Sequence, residues 1–307
     1  MDPSLSIVIP TIGRTVLDKT IASVFEQSVM PDEIIVWDNS GTGAAKQNSE
    51  YASCSSIKWE SANERKSIID SWNTAVGYCS CTFVYILGDD DILLPDFVKT
   101  CKKLLAEGSR LIHVENQFIN ADGTILNSND SQKRICKMTY PEFLKLYSVS
   151  NELNIFLGSL VFPLESFQKI GGFKNIIHNG LAMDVLFNIE MLHQIKNITV
   201  VSSPLWQYRI LVSGWCGAVK NPDDIPKIAS EYLEYRKKVS VFFANEPAVV
   251  FRNFNRRRVT SQIVGVCYQA SPWKTFLLIC SSLFSFREKL TMMRDIFYMV
   301  RHQHFKS

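Results

Sequence analysis

Residues 83–95, FVYILGDDDILLP, constrain this chain more than any other stretch. Mostly apolar residues run into Gly88 and then into three successive carboxylates, Asp89, Asp90 and Asp91, before a short apolar run and Pro95. A buried strand that ends in adjacent acids gathers repelling charge, and a bound divalent cation is the usual remedy. The stretch predicts a strand end that meets a cation.

The preceding residues say what kind of sheet carries that strand. Ser4–Pro10 (SLSIVIP) and Glu33–Trp37 (EIIVW) read as buried strands, Ile57–Glu60 as a short one, and Thr82–Leu87 as the strand that delivers the acids. Between them, Val16, Ile21, Val24 and Phe25 form a helical stripe that Thr15 is placed to cap, and Ile68–Val76 fits a second helix. Strands that are apolar runs and alternate with helices predict an α/β fold, with a mostly parallel sheet covered on both faces. Ligands of such sheets bind beyond the carboxyl ends of the strands. Three of these strands finish in functional candidates: Pro10 and Thr11 through Arg14, Asp38 with Asn39, and Asp89–Asp91.

Further on, Pro95–Leu105 reads as a helix, and residues 110–120 and 124–136 as a hairpin around Asp122–Gly123. Leu157–Phe162 is a strand that can rejoin the sheet, and Leu181–Leu192 a helix with a lone acid, Asp184, near its start. Val200–Ser202 and Leu205–Arg209 read as two short strands. Beyond Asn221 helices take over, expected at 225–244, 248–268 and 273–300. The expected organisation is a catalytic domain over 1–220 and a helical region over 221–307.

Charge separates the same two regions. Residues 231–307 carry 13 Lys+Arg against 5 Asp+Glu, whereas the first 230 residues carry 20 against 25. A basic tail with apolar clusters at Phe276–Ile279 and Leu283–Phe284 suits a helix lying on an anionic membrane surface, or a cap packed on the catalytic domain. No recognisable nucleic-acid module accompanies it, so no nucleic-acid partner is expected. Met1–Pro10 lacks a basic n-region, and no apolar run approaches the roughly 18 residues of a membrane span. The eight cysteines include no CxxC pair and are expected to be reduced thiols.

In this order and spacing, SIVIPTIGR, EIIVWDNSG, FVYILGDDDILLPDF, the GGF at 171–173 and the later Asp184 resemble the family-2 glycosyltransferases over roughly residues 4–215. The resemblance implies the GT-A fold and transfer of a sugar from a nucleotide-sugar donor. It implies that Asp38 contacts the nucleobase or ribose, and that the acids hold Mg2+ or Mn2+ against the diphosphate. Measured back from Pro95, the family's first acid falls at Gly88 and its metal-coordinating acid at Asp90. Asp90 is therefore the expected ligand, with Asp89 assigned to metal or ribose and Asp91 as the third candidate. Capping of the following helix is the competing role for the triplet.

Asp184 matches the catalytic base of inverting members, although Met183 precedes it where relatives often have Glu. Glu190 is the nearest substitute. Arg14, Arg65, Lys66 and Arg209 are basic candidates for the donor's phosphates, with His178 a further one; surface charge is the competing role for Arg65 and Lys66. The expected donor is a UDP-, GDP- or dTDP-sugar. The expected acceptor is a lipid-linked glycan of surface polysaccharide synthesis (O-antigen, capsule or exopolysaccharide), met by a peripheral protein on the cytoplasmic face of the membrane. Two other classes compete. A nucleotidyltransferase would normally show a Gly-rich loop where Thr11–Arg14 has one glycine. A non-catalytic nucleotide-sugar-binding protein would keep the fold without the chemistry.

Overall fold

The computed structural model describes residues 3–126, 134–149, 157–177, 180–210 and 221–281, together with 284, 286, 289, 290, 292–294 and 296. Contacts divide the chain into two compact units: Met1–Phe143, Glu152–Phe173 and Glu190–Gly214 form the first, and Leu144–Asn151, Lys174–Ile189 and Trp215–Ser307 the second. The second unit thus adds two earlier segments to the expected C-terminal region, and one of them contains Asp184.

The first unit is built on a mixed sheet. In chain order its strands are β1 (Leu5–Thr11), β2 (Glu33–Asp38), β3 (Lys58–Ser61), β4 (Phe83–Ile86), β5 (Ile92–Leu93), β6 (Ile112–Ile119), β7 (Ile135–Thr139), β8 (Leu160–Pro163) and β9 (Asn197–Arg209). The sheet runs β3-β2-β1-β4-β8-β6-β9-β5, with β7 on β9. Pairing is parallel from β3 through β4 and between β6 and β9, and antiparallel elsewhere. Every residue of β1 and β4 is buried, as the apolar runs predict for strands covered on both faces. The core under them includes Ile7, Ile9, Val36, Tyr85, Phe97 and Trp206.

Helices α1 (Leu17–Phe25), α3 (Ile68–Gly77) and α4 (Phe97–Ala106) lie close to the expected positions, and α2 (Ala44–Asn48) is one the apolar pattern does not reveal. Its single buried residue, Ala45, gives no stripe to read. The N-cap of α1 is Val16, without a side-chain bond, so Thr15 does not cap it. The turn at 120–124 forms, with Ile119 bridging Ile125, but β7 pairs with β9 and does not fold back on β6. The two short strands expected at 200–209 are one continuous β9, because Ser202–Pro204 stay extended.

The second unit holds the end of α5 (Tyr140–Val149), the start of α7 (Met183–Ile195), and α8 (Ile225–Ser240), α9 (Ala248–Phe254), α10 (Ser261–Ala270) and α11 (Pro272–Cys280). The remaining helix, α6 (Leu164–Ile170), belongs to the first unit. The expected helix 248–268 is interrupted by a π-turn at Asn255–Thr260. There Asn255 Nδ2 donates to Tyr232 Oη at 2.6 Å, and Tyr232 Oη shares a 2.7 Å bond with Thr260 Oγ1. These buried bonds offset the geometry that the wider turn gives up. Within the expected helix 273–300, α11 ends at Cys280, and residues 286, 289, 290, 292–294 and 296 are again helical. Among the described residues no helix is long and apolar enough to cross a membrane.

Candidate active site

Strand β1 lies between β2 and β4, and there the order of the parallel strands changes direction. Ligands of doubly wound sheets bind at such a point. Pairing of β1 with β4 stops at Val8–Ile86, while pairing with β2 continues to Thr11–Asp38. Pro10 has no N–H to donate, and it falls beyond the last β4 pair, where none is needed. The two strands part at this point, and the acidic triplet follows β4 into the gap.

Thr11 ties the strand ends together. Its Oγ1 donates to Asp89 Oδ2 at 2.7 Å and accepts the Gly13 N–H at 2.9 Å. The turn so formed delivers Arg14, whose Nε lies 3.2 Å from Asp89 Oδ1 and whose Nη1 donates to Asp90 Oδ2 at 2.9 Å. A cationic side chain of the chain itself thus lies against the acids at the strand end. Burial nevertheless raises the Asp89 carboxyl to about 6, against the pull of Thr11 and Arg14. Asp90 is raised too, again by burial, with Arg14 opposing.

Asp91 is turned inward. Its Oδ1 accepts the Arg209 backbone N–H at 2.9 Å, and burial, with Asp90 beside it, pushes its carboxyl well above the ordinary range. Arg209 is buried as well, and its guanidinium is directed at backbone: Nε donates to Asp90 O at 2.8 Å, and Nη1 to Asn120 O and Ala121 O at 3.2 and 3.0 Å. As placed, Arg209 braces the acid loop through Nε and Nη1, joining Asp90 O to Asn120 O and Ala121 O.

The end of β2 is fastened in the same way. Asp38 is fully buried and accepts the N–H groups of Ser40 and Ala45, both at 2.8 Å, so it closes the turn into α2. Asn39 exchanges two bonds with the Lys66 backbone, at 3.1 and 2.9 Å, and thereby brings residues 65–66 to this strand end. Gly41 permits the approach: it has φ +79°, and a Cβ there would lie 2.9 Å from the Arg65 nitrogen. The Arg65 and Lys66 side chains are exposed.

Two supporting residues escaped sequence reasoning. Gln27, just past the end of α1, donates to Leu94 O at 2.9 Å and accepts the Val98 N–H at 3.0 Å, while Ser23 Oγ of α1 accepts the Leu93 N–H at 3.0 Å. Both hold the segment that follows the acids. The only signal for Ser23 is a polar residue on the buried face of α1, and Gln27 falls beyond that helix.

Asp89 and Asp90 offer adjacent hard oxygens, and Asp90 is the more open of the two. Among the described residues no group of three or more His, Cys, Asp or Glu side chains forms a complete metal cage. The pair fits an ion that takes one or two carboxylates and completes its shell with phosphate oxygens and water, as Mg2+ does.

In the second unit, Asp184 sits in the first turn of α7. Burial raises its carboxyl to about 6, although its own N–H and that of Val185 favour the charged form. Ala182, two residues earlier, has φ +56°, and its carbonyl accepts a bond from Tyr235 Oη of α8 at 3.2 Å. A non-glycine residue at such a φ persists only when its surroundings hold it. His178 lies outside the described residues.

Adjacent acids at a sheet switch point, a basic residue from the first turn and a fastened second strand end describe a nucleotide-sugar transferase site of GT-A type. The profile of glycosyl transferase family 2 matches residues 6–161, and the chain belongs to that family. Its activity is accordingly transfer of a sugar from a nucleotide sugar. Among solved structures, residues 1–349 of S. aureus TarS in complex with UDP-GlcNAc are 17% identical, with 90% of this chain and 83% of that one covered and a TM-score of 0.57. The same protein in complex with UDP gives 16%, the same coverage and 0.55. At these identities the likeness establishes the GT-A fold. No curated protein matches the chain.

Proposed function

We propose that the chain transfers a sugar from a nucleoside-diphosphate donor to an acceptor hydroxyl, with inversion at the anomeric carbon and assistance from Mg2+ or Mn2+. The observation that carries this reading is the Asp89–Asp90 pair at the β1/β4 switch point, joined to Arg14. Asp90, with Asp89, would hold the ion. When bound, the ion neutralises charge gathering on the leaving diphosphate. Asp38 and Asn39 act through the walls they fix, which present the β2 end and residues 65–66 to the base and ribose. Asp184 takes the proton from the acceptor hydroxyl. A carboxyl at about 6 is a stronger base than an ordinary carboxylate and is still ionised near neutral pH.

Relatives crystallised with UDP and UDP-GlcNAc make a UDP-linked sugar the first donor to test. The acceptor in this reading is a lipid-linked glycan, met at the cytoplasmic face of a membrane. Supporting it are the exposed Trp273, Phe276 and Leu277 of α11 and the exposed Arg257 of the π-turn, whereas Lys274 pairs with Asp223 and Arg258 donates to the Tyr147 carbonyl.

A thermal-shift panel of UDP, GDP and dTDP, with and without Mn2+, tests the donor site in wild type and Asp90→Ala. One nucleotide is expected to stabilise the wild type in a metal-dependent way and to lose that dependence in Asp90→Ala. Stabilisation that ignores metal removes the metal from the reading. No stabilisation by any nucleotide removes the donor site.

A further inference from the structure

Arg14 stands where the loaded site needs a cation. One guanidinium spans both acids of the proposed metal pair, 3.2 Å from Asp89 Oδ1 and 2.9 Å from Asp90 Oδ2. A divalent ion that arrives alone must take an oxygen from Arg14 and then sit beside a like charge in a partly buried site. Among the described residues Arg209 also meets the acid loop, but its Nε and Nη1 bond the carbonyls of Asp90, Asn120 and Ala121 and neither acid of the pair. A nucleoside diphosphate changes both conditions. It brings oxygens that complete the ion's shell, and an anion on which a released guanidinium can form bidentate bonds.

We infer that Arg14 is the resident counter-ion of the acid pair, and that metal and nucleotide load together as Arg14 passes from Asp90 to the diphosphate. The exchange deepens the metal-assisted transfer proposed above and rests on it. It makes free metal a poor ligand and couples the two binding events, so each strengthens the other by the same factor. It also assigns the Thr11–Arg14 turn a purpose: the bond from Thr11 to Asp89 holds one acid in place while its neighbour changes partner.

Mn2+ binding to the whole protein, followed by the electron paramagnetic resonance of free Mn2+, tests the exchange with and without UDP. Wild type, Arg14→Gln and Arg14→Lys are compared. Wild type is expected to bind Mn2+ at least about tenfold more tightly with UDP than alone, and Arg14→Gln to gain about tenfold for Mn2+ alone. Arg14→Lys keeps the charge but not the two-pronged contact, and is expected to fall between wild type and Arg14→Gln. Arg14→Gln binding Mn2+ alone no more tightly than wild type overturns the exchange and leaves metal use standing. Should Arg14→Gln melt below the assay temperature, equal Mn2+ affinity with and without UDP in wild type overturns it instead. Wild type that binds no Mn2+ even with UDP overturns the metal reading and the exchange together.

Discussion

The Asp91 carboxylate fills the space that a side chain at Gly88 would need. A Cβ on Gly88 would lie 2.6 Å from Asp91 Oδ2 and 3.3 Å from Asp90 Oδ1. The resemblance to the family places an acid at position 88, so that acid and this packing of Asp91 exclude one another. Asp91 in turn is held by the Arg209 backbone N–H, which links the acid loop to the end of β9.

Restoring the acid with Gly88→Asp is therefore expected to destabilise the protein by about 1–3 kcal/mol, the usual range for overpacking a tight site. Adding Asp91→Gly to Gly88→Asp should return most of that loss by vacating the space. Denaturant unfolding of the three proteins checks it, and a single variant as stable as wild type would contradict the packing described.

Arg209 is expected to matter for stability before it matters for binding. Arg209→Ala leaves the carbonyls of Asp90, Asn120 and Ala121 without a buried donor, which costs about 2–4 kcal/mol. Arg209→Lys cannot reach all three and should fall between. If Arg209→Ala unfolds at the wild-type denaturant concentration and only the donor KM rises, the residue contacts phosphate after all.

The raised carboxyl of Asp184 sets a pH limb on the chemistry. In the proposed role of general base it must be ionised, so kcat should fall about tenfold per pH unit below about 6 and level off above about 7. Asp184→Asn should lose transfer while retaining UDP binding. Because the folded-state pKa lies above the ordinary carboxylate value, wild type holds an extra proton when folded between roughly pH 4 and 6. Its stability from this group declines as pH rises through that window. Asp184→Asn should therefore gain more in Tm at pH 7 than at pH 4. Loss of UDP binding in Asp184→Asn would assign the residue to the donor instead.

Tyr235 reaches the same turn through Ala182. Tyr235→Phe removes the bond that helps hold φ +56°, at a cost of about 1 kcal/mol. The expected kinetic result is a several-fold lower kcat with the donor KM unchanged, partly rescued by Ala182→Gly, which accepts that φ without strain. An equal loss in both kinetic constants, with no rescue, would mean that the bond only stabilises the fold.

Several strand ends carrying candidate site residues were legible because their signal is local. Apolar runs that end in Thr11, Asp38 and Asp89–Asp91 follow from the chemistry of parallel strands, and all three ends do belong to adjacent strands. What each side chain does was less legible. Asp38 and Arg209, read as donor contacts, are both buried and bond backbone groups, because a carboxylate and a guanidinium satisfy turn N–H groups and carbonyls as readily as a ligand. Gln27 and Ser23 left almost no trace, since their partners lie 67 and 70 residues away in sequence.

The sequence by itself determined the sheet class, the family and the placing of three carboxylates after one buried strand, because these depend on residue type and on spacing along the chain. The tertiary structure alone decided which cation meets them. Arg14 reaches Asp90 across 76 residues only because β1 and β4 lie side by side and part at Pro10. That separation cannot be read along the chain, since it is produced by two strands pairing and then ceasing to pair.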